Sequence, residues 1–353
     1  MAMRLATGPL SAEAPDDAQD VARRIAAAPA VDALQAQAAR IDPIVVRLHA
    51  DGEPVERIAT LVSALNTGLL ARLWALLAPP ELVAGSCLIV MGSEGRGEQI
   101  LKTDQDNALL LRDGLAAPGL DALAQRFSAA LAGFGYPPCP GGIMLTNPLW
   151  RQPLADFRES IRGWVYGDDR EGPMRLAIFF DATAVTGDAA LLADVRDYLD
   201  RIFAGQDIYL ARFAAAADAF HEPGNWFTRL LTRRDEQPLD LKKLGTFPIV
   251  HGARALSLQY GVREPGTVAR LQALAARQRL DATLARELAD ALHFLMRLRL
   301  SHQLLQRAGG ARPGNEVRPA DLALRDREPL RAALAVVLRF RAFLRQHFRL
   351  ASI

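Results

Sequence analysis

Two aspartates separated by one residue are the feature of this sequence best suited to chemistry. Asp104 and Asp106 follow a buried apolar run, Cys87–Met91, and a Gly-Ser turn at Gly92 and Ser93. On an extended strand, residues i and i+2 point to the same face, so we expect the two carboxylates to lie side by side. Neighbouring carboxylates repel each other unless a cation lies between them, and Mg²⁺ takes such ligands together with substrate phosphates. The spacing therefore predicts a divalent metal site.

The Gly-Ser turn supplies the groups that bind phosphates. A turn that opens a helix presents free backbone N–H groups, and the Ser93 hydroxyl adds a further donor. Gly92 permits close approach of the backbone to a ligand. Arg96 follows Ser93 by about one helical turn, where a guanidinium can reach a triphosphate. We therefore predict that Gly92, Ser93 and Arg96 bind a nucleotide, with an exposed helix arginine as the alternative for Arg96.

The order of these features resembles a known superfamily. Residues 92–111, GSEGRGEQILKTDQDNALLL, are similar to the DNA polymerase β-type nucleotidyltransferases. They resemble more closely the nucleotidyltransferases that are fused to CBS or cyclic-nucleotide-binding domains in signal transduction. The similarity to the uridylyltransferases that modify PII signalling proteins is more distant. Gln105 and Asn107 stand where general members of the superfamily carry apolar residues, which favours the narrower branch.

The resemblance implies an α+β fold, with a polymerase β-like α/β domain around a mixed sheet. Residues 174–180 are an apolar run that we predict to be a strand, ending at Asp181 beside the strand of the aspartate pair. The resemblance then implies that Asp181 is a third metal ligand, and the alternative is an aspartate that caps a turn. It also implies Mg²⁺, or Mn²⁺, as the cofactor and a nucleoside triphosphate (NTP) as the substrate.

The hydrophobic pattern divides the chain into three regions. Residues 1–80 show helical periodicity and are predicted to be an N-terminal helical region. Residues 81–205 alternate between strand and helix patterns and form the predicted catalytic domain. Residues 206–353 are again helical and form the predicted domain for the nucleotide and the acceptor. The flanking helical regions complete the predicted architecture.

The C-terminal region contributes two further candidate residues. Residues 239–353 carry 20 basic and 9 acidic side chains, so this part of the chain is strongly basic. Residues 240–254 resemble the start of the helical substrate-binding domain of the same family. The resemblance implies that Lys242 or Lys243 reaches the triphosphate, and the alternative is an exposed, solvated pair. Lysine is rare in this chain, at three residues against 39 arginines.

Composition limits the setting in which the protein works. Two cysteines are too few for a disulfide framework, and no uncharged apolar run approaches the roughly 18 residues that span a bilayer. The chain starts without a basic segment followed by an apolar one, so we expect a cytoplasmic protein without membrane association. Nucleic acid is not an expected partner, because no known binding motif occurs. The apolar N-terminal helices are suited to a homodimer.

The sequence therefore predicts a Mg²⁺-dependent nucleotidyltransferase. It would move a nucleoside monophosphate (NMP) from ATP or UTP to a hydroxyl of a protein acceptor, in the manner of the PII-modifying enzymes. Two alternatives stay open at this point. One is a regulatory module that binds a nucleotide without turnover, and the other is a nucleotidyltransferase that acts on a small molecule.

Overall fold

A mixed sheet and several long helices make up the chain. The structure, a computed structural model, describes residues 15–216 and 238–350. Contacts divide the chain into two units, residues 1–201 and 202–353. Among the described residues, the first unit holds a four-stranded sheet and the second holds helices with one two-stranded ribbon. The predicted α+β class is confirmed, whereas the division into three regions at residues 80 and 205 stays a prediction.

Three long helices precede the sheet. They are α1 (Asp16–Ala27), α2 (Val31–Ala50) and α3 (Val55–Leu77), and each contacts the other two. The apolar positions at helical spacing form their shared core, as predicted: Ile41, Ile58, Val62, Leu65, Leu69 and Leu73 are all buried. Helix α3 also contacts the sheet strand at residues 183–187 and the helix at residues 120–133. The N-terminal helices therefore pack on the sheet of their own unit.

Helix α3 is the one described helix that is long and apolar enough, by length and composition, to cross a membrane. This match is weak evidence, because a buried core helix has the same length and composition. Half of its most apolar window is buried inside the unit. Charged residues near its ends, Glu56, Arg57 and Arg72, explain why the sequence contains no long uncharged run.

The four-stranded sheet has β1 (Ser86–Val90) near its centre. It pairs antiparallel with β2 (Asn107–Leu111) on one side and with β4 (Thr183–Gly187) on the other. The short β3 (Arg151–Pro153) runs parallel to β2, which gives the order β3-β2-β1-β4. Every residue of β1 and β2 is buried, as their continuous apolar sequences predict.

Helices connect and cover these strands in the first unit. Helix α4 (Pro80–Ala84) comes before β1, and the helices after β1 are α5 (Gly92–Gly95), α6 (Leu120–Gly133), α7 (Leu154–Tyr166), α8 (Gly172–Phe180) and α9 (Ala189–Phe203). Helix α5 is a single turn, and Gly97, at φ +69°, lies in the left-handed region shortly after it.

One predicted strand is wrong. Residues 174–180 lie in helix α8, which opens with Gly172 and a proline at its first turn. A short apolar run has no periodicity that separates a strand from a buried helix, and the helix formed here. The strand follows as β4, which pairs with β1 and not with β2. Asp181 therefore ends a helix, and it does not follow a strand beside the aspartate pair.

The second unit is built from long helices. Its described elements are α10 (Asp207–Ala215), β5 (Leu239–Asp240), α11 (Phe247–Tyr260), α12 (Thr267–Ala276), α13 (Ala282–Ala308), β6 (Glu316–Val317) and α14 (Leu324–His347). Helix α14 packs along α13, and α11 contacts α10, α12 and α14. A wide, π-type helical turn, Lys242–Thr246, leads into α11. This arrangement confirms the predicted C-terminal helical bundle.

Gly252 tests the packing of α11 on α14. A Cβ at this position would overlap the buried ring of Phe340 and a methyl group of Leu344. We expect Gly252→Ala to lower the free energy of unfolding by about 1–3 kcal/mol, measured by urea denaturation, because overpacking strains a core. Gly163→Ala on α7 is the control, since its Cβ would meet nothing within 4 Å. Equal effects of the two changes would contradict this packing.

Candidate active site

The central strands end where the Gly-Ser turn meets the aspartate pair. The register pairs Val90 with Asn107, and the Met91 N–H then donates to the Asp106 carbonyl at 2.9 Å. This bond brings Gly92 beside the Asp106 side chain. Gly92 has φ +58°, and a Cβ there would lie 2.6 Å from Asp106 Oδ2. Only glycine meets both conditions, so the close approach of turn and carboxylate explains Gly92.

Asp104 and Asp106 lie directly before β2, on a segment without regular secondary structure. Gln105 between them is buried, and its amide donates to the carbonyls of Ser128 at 3.1 Å and Tyr136 at 2.8 Å. Both aspartates are partly exposed, and one carboxylate oxygen of each lies within 4.8 Å of the other. The predicted juxtaposition of the two carboxylates is therefore present, and Gln105 anchors the segment between them.

A third side chain joins the aspartate pair. One ligand atom each of Asp104, Asp106 and Cys139 lies within 4.8 Å of the others, and all three residues are partly buried. Burial raises the pKa of the Cys139 thiol to about 11, and the neighbouring carboxylates add to that shift. Two carboxylates suit Mg²⁺ or Mn²⁺, whereas a thiolate suits softer metals. The donors present thus fit a divalent cation held mainly by oxygen.

The loop after α6 brings Cys139 to this place. Its backbone follows the aspartate segment: the Asn107 N–H donates to the Ile143 carbonyl at 3.1 Å, and the Leu145 N–H donates to Asn107 Oδ1 at 3.0 Å. Sequence reasoning missed Cys139, because the path of a loop rich in proline and glycine cannot be inferred from periodicity. A cysteine inside the run 137–142, PPCPGG, was the only sign of it.

Arg96 and Asp181, predicted for the triphosphate and for the metal, bind each other. Arg96 Nη1 donates to Asp181 Oδ2 at 2.5 Å, and Arg96 Nε donates to Glu98 Oε2 at 2.6 Å. The Asp181 side chain is fully buried and that of Arg96 is 10% exposed. Burial disfavours the charged guanidinium, but the two carboxylates outweigh that effect and raise the pKa of Arg96. The structure does not bring Asp181 into the group formed by Asp104, Asp106 and Cys139.

The topology explains the position of Asp181. Helix α8 ends beside α5, and a Cβ on Gly95 would overlap the carbonyl oxygens of Asp181 and Val90. The Thr183 hydroxyl donates to the Gly95 carbonyl at 2.7 Å. Asp181 thus reaches the site through β4, on the opposite side of β1 from the aspartate pair. Its ion pair with Arg96 holds α5 against the sheet.

Glu94 is a partly buried acid in the same helical turn, and sequence reasoning gave it no role. Burial raises its pKa to about 7, a hydrogen bond with Asn66 opposes that shift, and the charge of Asp106 adds to it. Among the described residues, its Oε1 atom is buried and has no hydrogen-bond partner. Glu94 follows Ser93 directly, so its placement affects the phosphate-binding turn.

Lys242 and Lys243 belong to the second unit and lie in the wide turn before α11. Asp240 Oδ1 accepts hydrogen bonds from both of their backbone N–H groups at 2.9 Å. Lys243 Nζ lies 3.6 Å from Asp240 Oδ2, and both lysines are exposed. Their contact with a triphosphate stays a prediction.

The ion pair of Arg96 and Asp181 can be separated from metal binding by mutation. We expect Asp181→Asn to lower the free energy of unfolding by about 3–5 kcal/mol, because it leaves a buried guanidinium with one partner fewer. Its affinity for Mn²⁺ should stay unchanged. Asp104→Asn is the matched variant, which should weaken Mn²⁺ binding with little loss of stability. Urea denaturation and Mn²⁺ titration measure the two effects. Weaker Mn²⁺ binding by Asp181→Asn, with unchanged stability, would instead identify Asp181 as a metal ligand.

Glu94 should make stability depend on pH. Its folded-state pKa of about 7 lies above the ordinary 4.5. The folded protein therefore binds this proton more tightly, and stability falls as the pH rises from about 4.5 through 7. One pKa unit corresponds to about 1.4 kcal/mol, so the loss reaches at most about 3.5 kcal/mol. Glu94→Gln cannot ionise and should flatten this profile.

Denaturation with urea at about pH 5 and pH 8, with a chelator present, measures this dependence. Glu159→Gln is the control, because the Glu159 side chain is 76% exposed. A Glu94→Gln profile as steep as that of the control variant would show that Glu94 is not the titrating group.

Comparison with known protein families agrees with this geometry. Residues 39–171 match the family described as "Putative nucleotidyltransferase DUF294", and residues 207–348 match a "Putative nucleotidyltransferase substrate binding domain". The first match contains the Gly-Ser turn, both aspartates and Cys139, whereas Asp181 lies between the two matches. No curated protein matches the chain. Because the two matches together span more than three quarters of the sequence, the chain belongs to a nucleotidyltransferase family.

Proposed function

We propose that this protein is a divalent-metal-dependent nucleotidyltransferase that transfers an NMP from an NTP to a hydroxyl of a protein acceptor. The observation that carries the proposal is the pair of partly exposed carboxylates, Asp104 and Asp106, held beside Gly92 and Ser93. The match of both units to nucleotidyltransferase domains supports the reaction class. The metal, the nucleotide and the acceptor are the parts that the proposal adds.

Asp104 and Asp106 would hold Mg²⁺, or Mn²⁺, through their carboxylate oxygens. A bound divalent cation neutralises phosphate charge and stabilises the attacking and leaving oxygens of a phosphoryl displacement. Buried Gln105, between the two aspartates, anchors their segment through hydrogen bonds to two backbone carbonyls. This anchoring fixes the carboxylates before a ligand arrives, so binding needs little reordering of the chain. Cys139 would lie next to the cation as a softer neighbour.

Gly92 and Ser93 would bind the phosphates. The first N–H groups of a helix lack intrahelical acceptors, and Ser93 is half-buried at the start of α5. Arg96 has a different part in this proposal, since its guanidinium is already engaged by Asp181 and Glu98. It positions the turn and does not contact the substrate.

The nucleotide and the acceptor follow from the resemblance of residues 92–111 to PII-modifying uridylyltransferases. We take ATP or UTP as the donor and a signalling protein as the acceptor. The second unit, through Lys242 and Lys243, would contribute cations to the triphosphate, which is supported by its match to a substrate-binding domain. A cytoplasmic location and a homodimer formed through the N-terminal helices belong to the same proposal.

A second candidate function is a regulatory module that binds a nucleotide without turnover. One observation favours it: Arg96 holds the third carboxylate that the resemblance implied for the metal. Among the described residues, the metal-binding group therefore contains only two carboxylates. Transfer to a small molecule keeps the proposed chemistry and changes only the acceptor.

Labelling with nucleotides decides between these functions. Purified protein, Mg²⁺ and a lysate of the host are incubated with each α-labelled NTP in turn. We expect label on one protein band, because NMP is transferred covalently. Asp104→Asn and Asp106→Asn should reduce labelling by more than the roughly 10–100-fold that loss of an outer-shell metal partner costs. Asp32→Asn, at an exposed position of α2, is the matched control.

The possible results separate the candidates. Label on a protein band that is lost only in the Asp104 and Asp106 variants supports transfer to a protein. Label on a small molecule would show that the acceptor is a small molecule and not a protein. Binding of an NTP with no transfer to any acceptor would favour the regulatory module, and full-rate labelling by Asp104→Asn would overturn the proposed metal site.

A further inference from the structure

A small cavity with both polar and apolar lining lies between helix α3 and the turn α5. Its volume is about 10 Å³, room for about one water molecule, and its lining includes Asn66, Glu94, Asp106 and Tyr136. Asp106 is one of the two aspartates of the candidate metal site. The cavity therefore joins the N-terminal helices, the Gly-Ser turn and the aspartate pair within one unit.

Hydrogen bonds connect the polar side chains around this cavity. The Tyr136 hydroxyl donates to Asn66 Oδ1 at 2.6 Å, and both residues are buried. The Asn66 side chain and the Glu94 carboxyl line the same cavity, and interaction with Asn66 lowers the pKa of Glu94 against the effect of burial. Because its carbonyl oxygen accepts from Tyr136, the amide NH₂ of Asn66 is the group that is left to donate toward Glu94. Polar side chains thus lead from the loop after α6, through α3, to the residue that follows Ser93.

This arrangement is costly if it serves packing alone. Glu94 Oε1 is buried and has no hydrogen-bond partner among residues 15–216 and 238–350, and leaving a buried acceptor without a partner is unfavourable. An apolar side chain would fill the same space without that penalty. An acid with a buried, unpartnered oxygen at this position is better explained by the orientation that it gives to the turn.

Two further contacts tie the N-terminal helices to the same stretch of chain. Lys102 Nζ donates to the Ala38 carbonyl of α2 at 2.7 Å and lies 5.7 Å from the centre of the Tyr136 ring. Gly97 faces α3, where a Cβ would lie 3.6 Å from Ser63 Oγ. The segment that leads from the turn to the aspartates is therefore held at several points by α2 and α3.

We propose that Asn66 and Tyr136 are positioning residues, which act through Glu94 to fix the Gly-Ser turn beside Asp106. Helix α3 is then a part of the active site and not only a packing element. The consequence for nucleotide binding rests on the proposed function. The positioning itself does not, because it can be measured without a nucleotide.

Hydrogen–deuterium exchange of the full chain tests the positioning directly. Tyr136→Phe removes one hydroxyl and keeps the ring, and Asn66→Leu replaces the amide by an apolar group of similar size. Both variants should raise amide exchange across residues 92–97 by about 5-fold, the effect expected from losing one hydrogen bond. Exchange in α13 and α14 of the second unit should stay unchanged. Tyr198→Phe on α9 is the matched control.

Nucleotide affinity is the second readout. Titration with ATP and UTP in the presence of Mg²⁺ should show a dissociation constant about 5-fold higher in both variants, with the control variant equal to the wild type. If the wild type binds neither nucleotide, the proposed function fails, and the exchange experiment still decides the positioning.

Two results would overturn the inference. Unchanged exchange at residues 92–97 in both variants would show that the hydrogen bonds do not hold the turn. A rise of equal size throughout the unit would show that Asn66 and Tyr136 contribute only to general stability. If Asn66→Leu does not fold, Tyr136→Phe alone decides between these outcomes, since it removes a single oxygen atom.

Discussion

The hydrogen bond from the Met91 N–H to the Asp106 carbonyl is the interaction on which the site depends. It extends the pairing of β1 with β2 beyond the last strand residues and brings two functional segments together. Gly92 then has to pass within van der Waals distance of the Asp106 carboxylate, which only a residue without a Cβ can do. The juxtaposition of phosphate-binding turn and metal-binding acid is therefore a product of strand register.

A four-residue helix such as α5 is too short to be stable by itself, because helix nucleation is unfavourable. Its surroundings supply the missing stability from two sides. On the β4 side, Asp181 engages Arg96 and Thr183 bonds the Gly95 carbonyl. On the α3 side, Asn66 and Glu94 face the same cavity. A buried ion pair such as Arg96 and Asp181 costs desolvation energy, so it is stable only when both partners are present.

The sequence was sufficient to predict the parts of the site that depend on local pattern. Apolar runs located β1 and β2, and the spacing of Asp104 and Asp106 predicted two carboxylates on one side. Contacts between distant segments could not be inferred in the same way. The run at residues 174–180 lacks periodicity, so α8 was predicted as a strand and Asp181 was placed beside the wrong neighbour. Cys139 and Glu94 depend on a loop path and on burial, which one sequence does not reveal.

Anomalous diffraction from crystals grown with Mn²⁺ and a non-hydrolysable NTP analogue tests the central claim most directly. We predict an anomalous peak within coordination distance of Asp104 and Asp106, with the triphosphate at Gly92 and Ser93, and with Asp181 still bound to Arg96. A peak that is coordinated by Asp181, or that lies away from both Asp104 and Asp106, would contradict the account.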